Sequence, residues 1–197
     1  MNKQIILAST SEYRKTLLEK TGLSFSCQKP DYEEESVKND LRSNWASSKE
    51  IAETLALGKA LSLQSQNSIV IAGDQLAHID NHILGKPGSY GKAFDQLSQL
   101  NGKTHELVTA TVILWGNEIL KNTNVTLLKM KSLSSQEIKR YLKLDEPFDC
   151  SGSYKIESFG ISLFEKIETD DFTAIQGLPL IWLTNTFKGK GYELFKR

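Results

Sequence analysis

Cysteine, proline and histidine are all scarce in this chain, and no apolar run is long. Two cysteines, Cys27 and Cys150, exclude a disulfide framework and predict a reduced, cytoplasmic setting. No stretch approaches the roughly 20 apolar residues that cross a bilayer, so no membrane partner is expected. Met1-Asn2-Lys3-Gln4 leads directly into Ile5-Ile6-Leu7-Ala8. It has neither the apolar region nor the small-residue cleavage site of a signal peptide, so none is expected. Charge of one sign is missing as well. Lys+Arg and Asp+Glu both number 24, so no global basic field exists to hold a nucleic-acid polymer. A small anion bound locally remains open. His78, His82 and His105 stand at no metal-ligand spacing with cysteines or acids. Gly189-Lys190-Gly191 lacks the upstream glycine and the Ser/Thr of a phosphate-binding P-loop. No Gly-x-Ser-x-Gly elbow argues for a covalent serine.

What is present is a soluble α/β pattern. The 197 residues, 39% hydrophobic and 24% charged, suffice for one substantial core. Ile5 to Ala8 predicts a short buried strand, Glu12 to Lys20 a helix stopped at Gly22, and Phe25 to Gln28 a strand. Pro30-Asp31-Tyr32-Glu33-Glu34-Glu35 predicts an acidic loop, and Ser47 to Ser65 a long amphipathic helix. The apolar run Ile69 to Gly73 predicts a strand ending at Asp74. Asp80-Asn81 predicts a hairpin turn between Leu76–Ile79 and His82–Leu84. A helix follows at Ala93 to Leu100. Two long strands, His105 to Trp115 and Glu118 to Met130, are joined by Gly116-Asn117. Ser134 with Glu137 makes a capping box for a helix through Leu144. Gly160 to Ile167 predicts a strand, and Pro179 the first turn of a last helix. The expected architecture is a single α/β domain, residues 1–197, with a large mixed sheet flanked by helices and an active site in a cleft between two lobes.

Two places in this pattern carry chemistry. Ser9-Thr10-Ser11-Glu12-Tyr13-Arg14 turns a strand into a helix. Hydroxyls, free backbone N–H groups and an arginine at such a turn suit a phosphate, although Ser9 or Ser11 would also serve as a plain helix cap. Asp74, after an apolar run and a glycine, places a partly buried carboxylate at the sheet lip, where it needs a cation, a metal or a proton. One of Glu33, Glu34 and Glu35 can add a carboxylate, since Mg²⁺ takes one or two of them plus substrate phosphates. Lys59 and Lys86 can each bind phosphate as a point charge.

Seven motifs then stand in an order that resembles one family. They are Ser9-x-Ser11-x-x-Arg14, Glu33-Glu34, Gly58-Lys59-Ala60, Gly73-Asp74-Gln75, Gly85-Lys86-Pro87, Gly152-Ser153-Tyr154-Lys155 and Gly177-Leu178-Pro179-Leu180. The chain resembles, over nearly its whole length, the Maf family of septum-formation-inhibitor-like nucleoside triphosphate pyrophosphatases. The resemblance implies a mixed α/β fold related to inosine triphosphatases, a divalent cation (Mg²⁺ or Mn²⁺), a homodimer, and hydrolysis of a nucleoside triphosphate to monophosphate and pyrophosphate. It implies Asp74 as proton acceptor near the metal and Glu34 as a metal carboxylate. Ser9, Ser11, Arg14, Lys59 and Lys86 are implied as phosphate-side groups.

Three positions resemble the 7-methyl-GTP branch rather than the dTTP/UTP branch: Tyr13, Gln75 and Glu157. A 7-methylguanine ring is cationic, so a Tyr13 face attracts it. Glu157 can accept from the guanine N1–H and amine while offsetting the charge. The chain departs from the branch at Tyr13, where tryptophan preceded by proline is usual, and at Gly58, where an acidic residue is usual. The alternatives are a pyrimidine or broad-specificity pyrophosphatase and, outside enzymes, a nucleotide-binding regulator of division.

Overall fold

The computed structural model describes residues 3–43, 46–80 and 82–193. The Met1-Asn2 end and the Asn81 half of the expected turn lie outside the described residues. Among the described residues one mixed seven-stranded sheet organises the chain, in the order β2 (Phe25–Gln28), β1 (Gln4–Ala8), β3 (Ser68–Ile79), β5 (Thr104–Trp115), β6 (Glu118–Met130), β7 (Phe164–Glu168), with β4 (His82–Leu84) paired to β3. The chain divides into two compact units. The first is Met1–Asp74, Thr109–Asn124 and Asp171–Arg197, and the second is Gln75–Val108 and Val125–Asp170.

In the first unit, β1 (Gln4–Ala8) lies parallel to both β2 (Phe25–Gln28) and the start of β3 (Ser68–Ile79). Ile5 to Ala8 are all buried, as a parallel strand covered on both faces requires. Helix α1 (Glu12–Glu19) buries Leu17 and Leu18. These pack with Ile5, Leu7, Ile69, Ile71, Ile113, Leu178, Leu183 and Phe187 into one core. Helix α3 (Ser48–Leu61) starts at a capping box in which the Ser47 hydroxyl accepts from the Glu50 amide and the Glu50 carboxylate accepts from the Ser47 amide. Its buried stripe is Ile51, Ala52, Leu55, Ala56, Lys59 and Ala60. Helix α6 (Leu180–Gly189) closes this unit, with Pro179 as its N-cap.

In the second unit, β4 (His82–Leu84) pairs antiparallel with Ala77–Ile79. Asp80, at φ 47°, takes the left-handed conformation that the turn needs. Helix α4 (Tyr90–Leu100) and helix α5 (Ser135–Asp145) bury Leu97, Leu100, Ile138 and Leu142. The Ser134–Glu137 capping box forms as expected. Strands β5 (Thr104–Trp115) and β6 (Glu118–Met130) contribute residues to both units.

Three expectations are corrected. The acidic segment does not stay a loop: Glu34 opens helix α2 (Glu34–Ser43). Strand β3 does not end at Asp74 but continues to Ile79, because Leu76, Ala77 and Ile79 are themselves buried. Gly160 to Ile167 is not one strand. A 3₁₀ turn over Phe159–Leu163 precedes the short strand β7 (Phe164–Glu168). Gly160 is held there by close approach, since a Cβ would come 2.3 Å from the Lys155 carbonyl oxygen.

Candidate active site

The first unit gathers Ser9, Ser11, Arg14, Glu34, Lys59 and Asp74. Strand β1 delivers Ser9 at its end, and the turn is tight. The Ser9 hydroxyl accepts from the Ser11 amide at 3.1 Å and lies 3.5 Å from an Arg14 guanidinium nitrogen. Ser11 occupies the N-cap position of α1 but makes no side-chain cap bond, which leaves its hydroxyl uncommitted to the helix. Arg14, one turn into α1, donates from Nε to the Gly177 carbonyl at 3.1 Å. Burial lowers the Arg14 pKa from its ordinary value, against the opposing pull of the Asp74 and Glu34 carboxylates.

Lys59 is the hub. Its side chain is 7% exposed, and its ammonium donates to Asp74 Oδ1 at 2.7 Å and meets Glu34 Oε2 at 2.8 Å. Its place on α3, in line with Ile51, Leu55 and Ala56, explains the burial. A lysine so enclosed needs anionic partners, and two are supplied. Asp74 is buried as well, and its second oxygen, Oδ2, has no hydrogen-bond partner among the described residues. The carboxylate is therefore fixed through one oxygen and offers the other, an arrangement suited to accept a proton or meet a cation. Gly73 allows this crowding. A Cβ there would sit 3.3 Å from the Ala110 carbonyl and 3.4 Å from Arg14 Nε.

Sequence reasoning gave no individual role to three contributors. Gly177, at φ 116°, holds its carbonyl under Arg14, and a Cβ on it would lie 3.2 Å from Arg14 Cγ. Asp171 fixes that segment: its carboxylate accepts from the Thr173 amide and hydroxyl and from the Ile181 amide, while the Thr173 hydroxyl accepts from the Leu180 amide. The Asp-x-Thr spacing before a proline is the signal that could have found it. The third, Tyr32, lies beside α3 against Gly58. Burial raises its phenol, and Glu34 and Asp74 add to the rise.

The remaining predicted residues are placed individually. Tyr13 is partly buried in the first turn of α1, adjacent to Arg14. Gln75 opens the second unit, and its carbonyl accepts from the Ser151 hydroxyl at 3.2 Å. Lys86 is exposed, next to the buried Pro87. Glu157 is exposed too, on a stretch pinned to α5. There the Lys155 amide donates to the Tyr141 hydroxyl at 2.9 Å, and Ser158 donates to Asp145 at 2.7 Å. Desolvation raises the Glu157 pKa, opposed by its backbone hydrogen bond and Lys155. His105 is a core residue: 2% exposed, with Nε2 3.0 Å from the Tyr154 hydroxyl and its ring against Phe164. Both cysteines are free thiols, and no described helix is long and apolar enough to cross a membrane.

A parallel strand leads through hydroxyls into an arginine-bearing helix, beside a lysine shared by two carboxylates, in an α/β protein, and the groups at this turn are of the chemical kind that suits a phosphorylated anion. The chain belongs to the Maf-like protein family, which matches residues 4–189. It is 47% identical over 181 residues to a protein of Bdellovibrio bacteriovorus named 7-methyl-GTP pyrophosphatase, covering 92% of this chain and 94% of that one. It is 42% identical over 196 residues to one of the same name from Pseudoalteromonas atlantica, covering 98% of each. A third of that name, from Colwellia psychrerythraea, is 36% identical over 98% of this chain and 95% of its own length.

Proposed function

We propose that this protein is a nucleoside triphosphate pyrophosphatase that hydrolyses 7-methyl-GTP to 7-methyl-GMP and pyrophosphate, with the whole chain acting as one catalytic domain. The observation that carries the reading is Asp74, held through Oδ1 by Lys59 while buried Oδ2 has no partner among the described residues. In the reaction, a water oxygen bonds to the α-phosphorus and the bond to the bridging oxygen breaks. Pyrophosphate leaves, and the water's proton passes to Asp74 Oδ2. Arg14, Ser9 and Ser11 face the phosphate chain at the β1–α1 turn, and Lys59 and Lys86 supply further positive charge. Tyr13 stacks on the cationic base and Glu157 pairs with its edge.

The donor set fits a divalent cation. Asp74 and Glu34 present hard carboxylate oxygens to the same ammonium, and Mg²⁺ or Mn²⁺ is typically held by one or two carboxylates plus substrate phosphates. Such an ion, when bound, neutralises phosphate oxygens. Among the described residues no three His, Cys, Asp or Glu side chains converge on one point, so the protein's share of such a site is this pair. The same reading carries a homodimer in a cytoplasmic setting.

Asp74→Asn tests the role of the base. The variant is expected to lose on the order of 10²–10⁴ in kcat while binding 7-methyl-GTP within a fewfold of the unmodified protein. Retained turnover would remove Asp74 from the chemistry.

A further inference from the structure

Gly58 stands immediately before Lys59 on α3, and the room left by its missing side chain is taken by a residue from another segment. A Cβ at position 58 would lie 2.1 Å from Tyr32 Cζ, 2.3 Å from its Cε2 and 2.5 Å from its hydroxyl oxygen. No side chain at 58 can coexist with the ring where it is. The Tyr32 ring is thus seated on bare helix backbone, in a notch that only glycine leaves open.

The same tyrosine is tied to the other side of the site. Its carbonyl accepts from the Glu34 amide at 3.0 Å, at the start of α2. The Glu34 carboxylate meets Lys59 at 2.8 Å. The two contacts lie close in sequence on both partners: ring 32 on residue 58, carboxylate 34 on residue 59. Helix α2 buries no side chain fully, Val37 and Leu41 only in part, so contacts at its first turn add to its placement.

We infer that Tyr32 is a positioning residue: seated on Gly58, it registers the first turn of α2 on α3 so that Glu34 reaches Lys59 beside Asp74. The ring does this, not the hydroxyl. The seat itself stands on the contacts just given, and only its expected effect on turnover rests on the pyrophosphatase reading above.

The test is a double-mutant cycle with two readouts on the full chain: hydrogen exchange of the segment 32–43, and kcat and KM for 7-methyl-GTP. Gly58→Ala should raise exchange of that segment at least tenfold, leave exchange of β1 unchanged, and lower kcat tenfold or more. Tyr32→Ala should do the same. The double variant should be no worse than either single within twofold, because the seat can be lost only once. Tyr32→Phe should match the unmodified protein in both readouts. Unchanged exchange in Gly58→Ala, or effects that multiply in the double variant, would overturn the inference. If the exchange pattern holds while the unmodified chain releases no pyrophosphate from 7-methyl-GTP, the seat stands and the substrate assignment fails.

Discussion

Lys59 concentrates the energetics of the site in one residue. It is enclosed, and its charge is balanced by Asp74 at 2.7 Å and Glu34 at 2.8 Å. Lys59→Met would keep the apolar stem and delete the charge, leaving Asp74 buried without its cation. Breaking a buried pair in this way costs about 3–5 kcal/mol, and the loss should appear in urea unfolding at neutral pH. A loss under about 1 kcal/mol would mean that the pair behaves as a surface salt bridge. His105 makes a second residue-level prediction. Burial lowers its pKa to about 4, from an ordinary value near 6.5. The unfolded chain therefore binds the proton first as pH falls. The stability contributed by the neutral ring is complete above about pH 6.5 and is lost progressively towards pH 4, amounting to roughly 3 kcal/mol. Replacing His105 by leucine should flatten that part of the pH–stability profile, whatever it does to absolute stability.

At the scale of elements, the strand-to-helix turn works because a distant segment supports it. Gly177 offers its carbonyl to Arg14 Nε from a left-handed conformation, and Asp171 pins the backbone on either side. Gly177→Ala would strain that conformation and press a Cβ on Arg14. A displacement near 1 Å at a positioning group costs about 10²-fold, so kcat/KM should fall to that extent with the fold retained by circular dichroism. Unaltered kcat/KM would show that Arg14 is not placed by this contact. Local signals made several elements legible in the sequence: the Ser134–Glu137 box, the Gly116-Asn117 connection, the Asp80 turn and the apolar runs of β1 and β3. Helix α2 was not legible. Only Val37 and Leu41, one turn apart, interrupt its polar sequence and none of its residues is fully buried, so two apolar positions were too few to set it apart from a solvated acidic loop. Glu34, Lys59 and Asp74 were each singled out, yet their convergence on one ammonium was not, because it depends on how α2, α3 and β3 pack. The seat of Tyr32 on Gly58 was hidden for the same reason. In the sequence it shows only as a glycine where an acid was expected.

For the molecule as a whole, zero net charge leaves recognition to local groups, and substrate choice becomes a matter of a few positions. If Tyr13 and Glu157 select a cationic base, Tyr13→Arg with Glu157→Gln should shift preference away from 7-methyl-GTP by tenfold or more. An unchanged ranking would sink the argument. The pH dependence has a definite sign. Glu157 must be ionised to offset the ring charge, and its pKa lies above the ordinary carboxylate value because of desolvation. The preference for 7-methyl-GTP over GTP should therefore decline as pH falls through that raised value. The decline should begin at higher pH than an unperturbed glutamate would give. A Glu157→Gln variant should show a low, pH-independent preference. The most direct measurement is pyrophosphate release by the full chain from 7-methyl-GTP, GTP, dTTP and UTP, each with Mg²⁺ or Mn²⁺. The proposed function predicts clear preference for 7-methyl-GTP and release that stops on chelation of the metal. Preference for dTTP or UTP, or no release from any of the four, would contradict it.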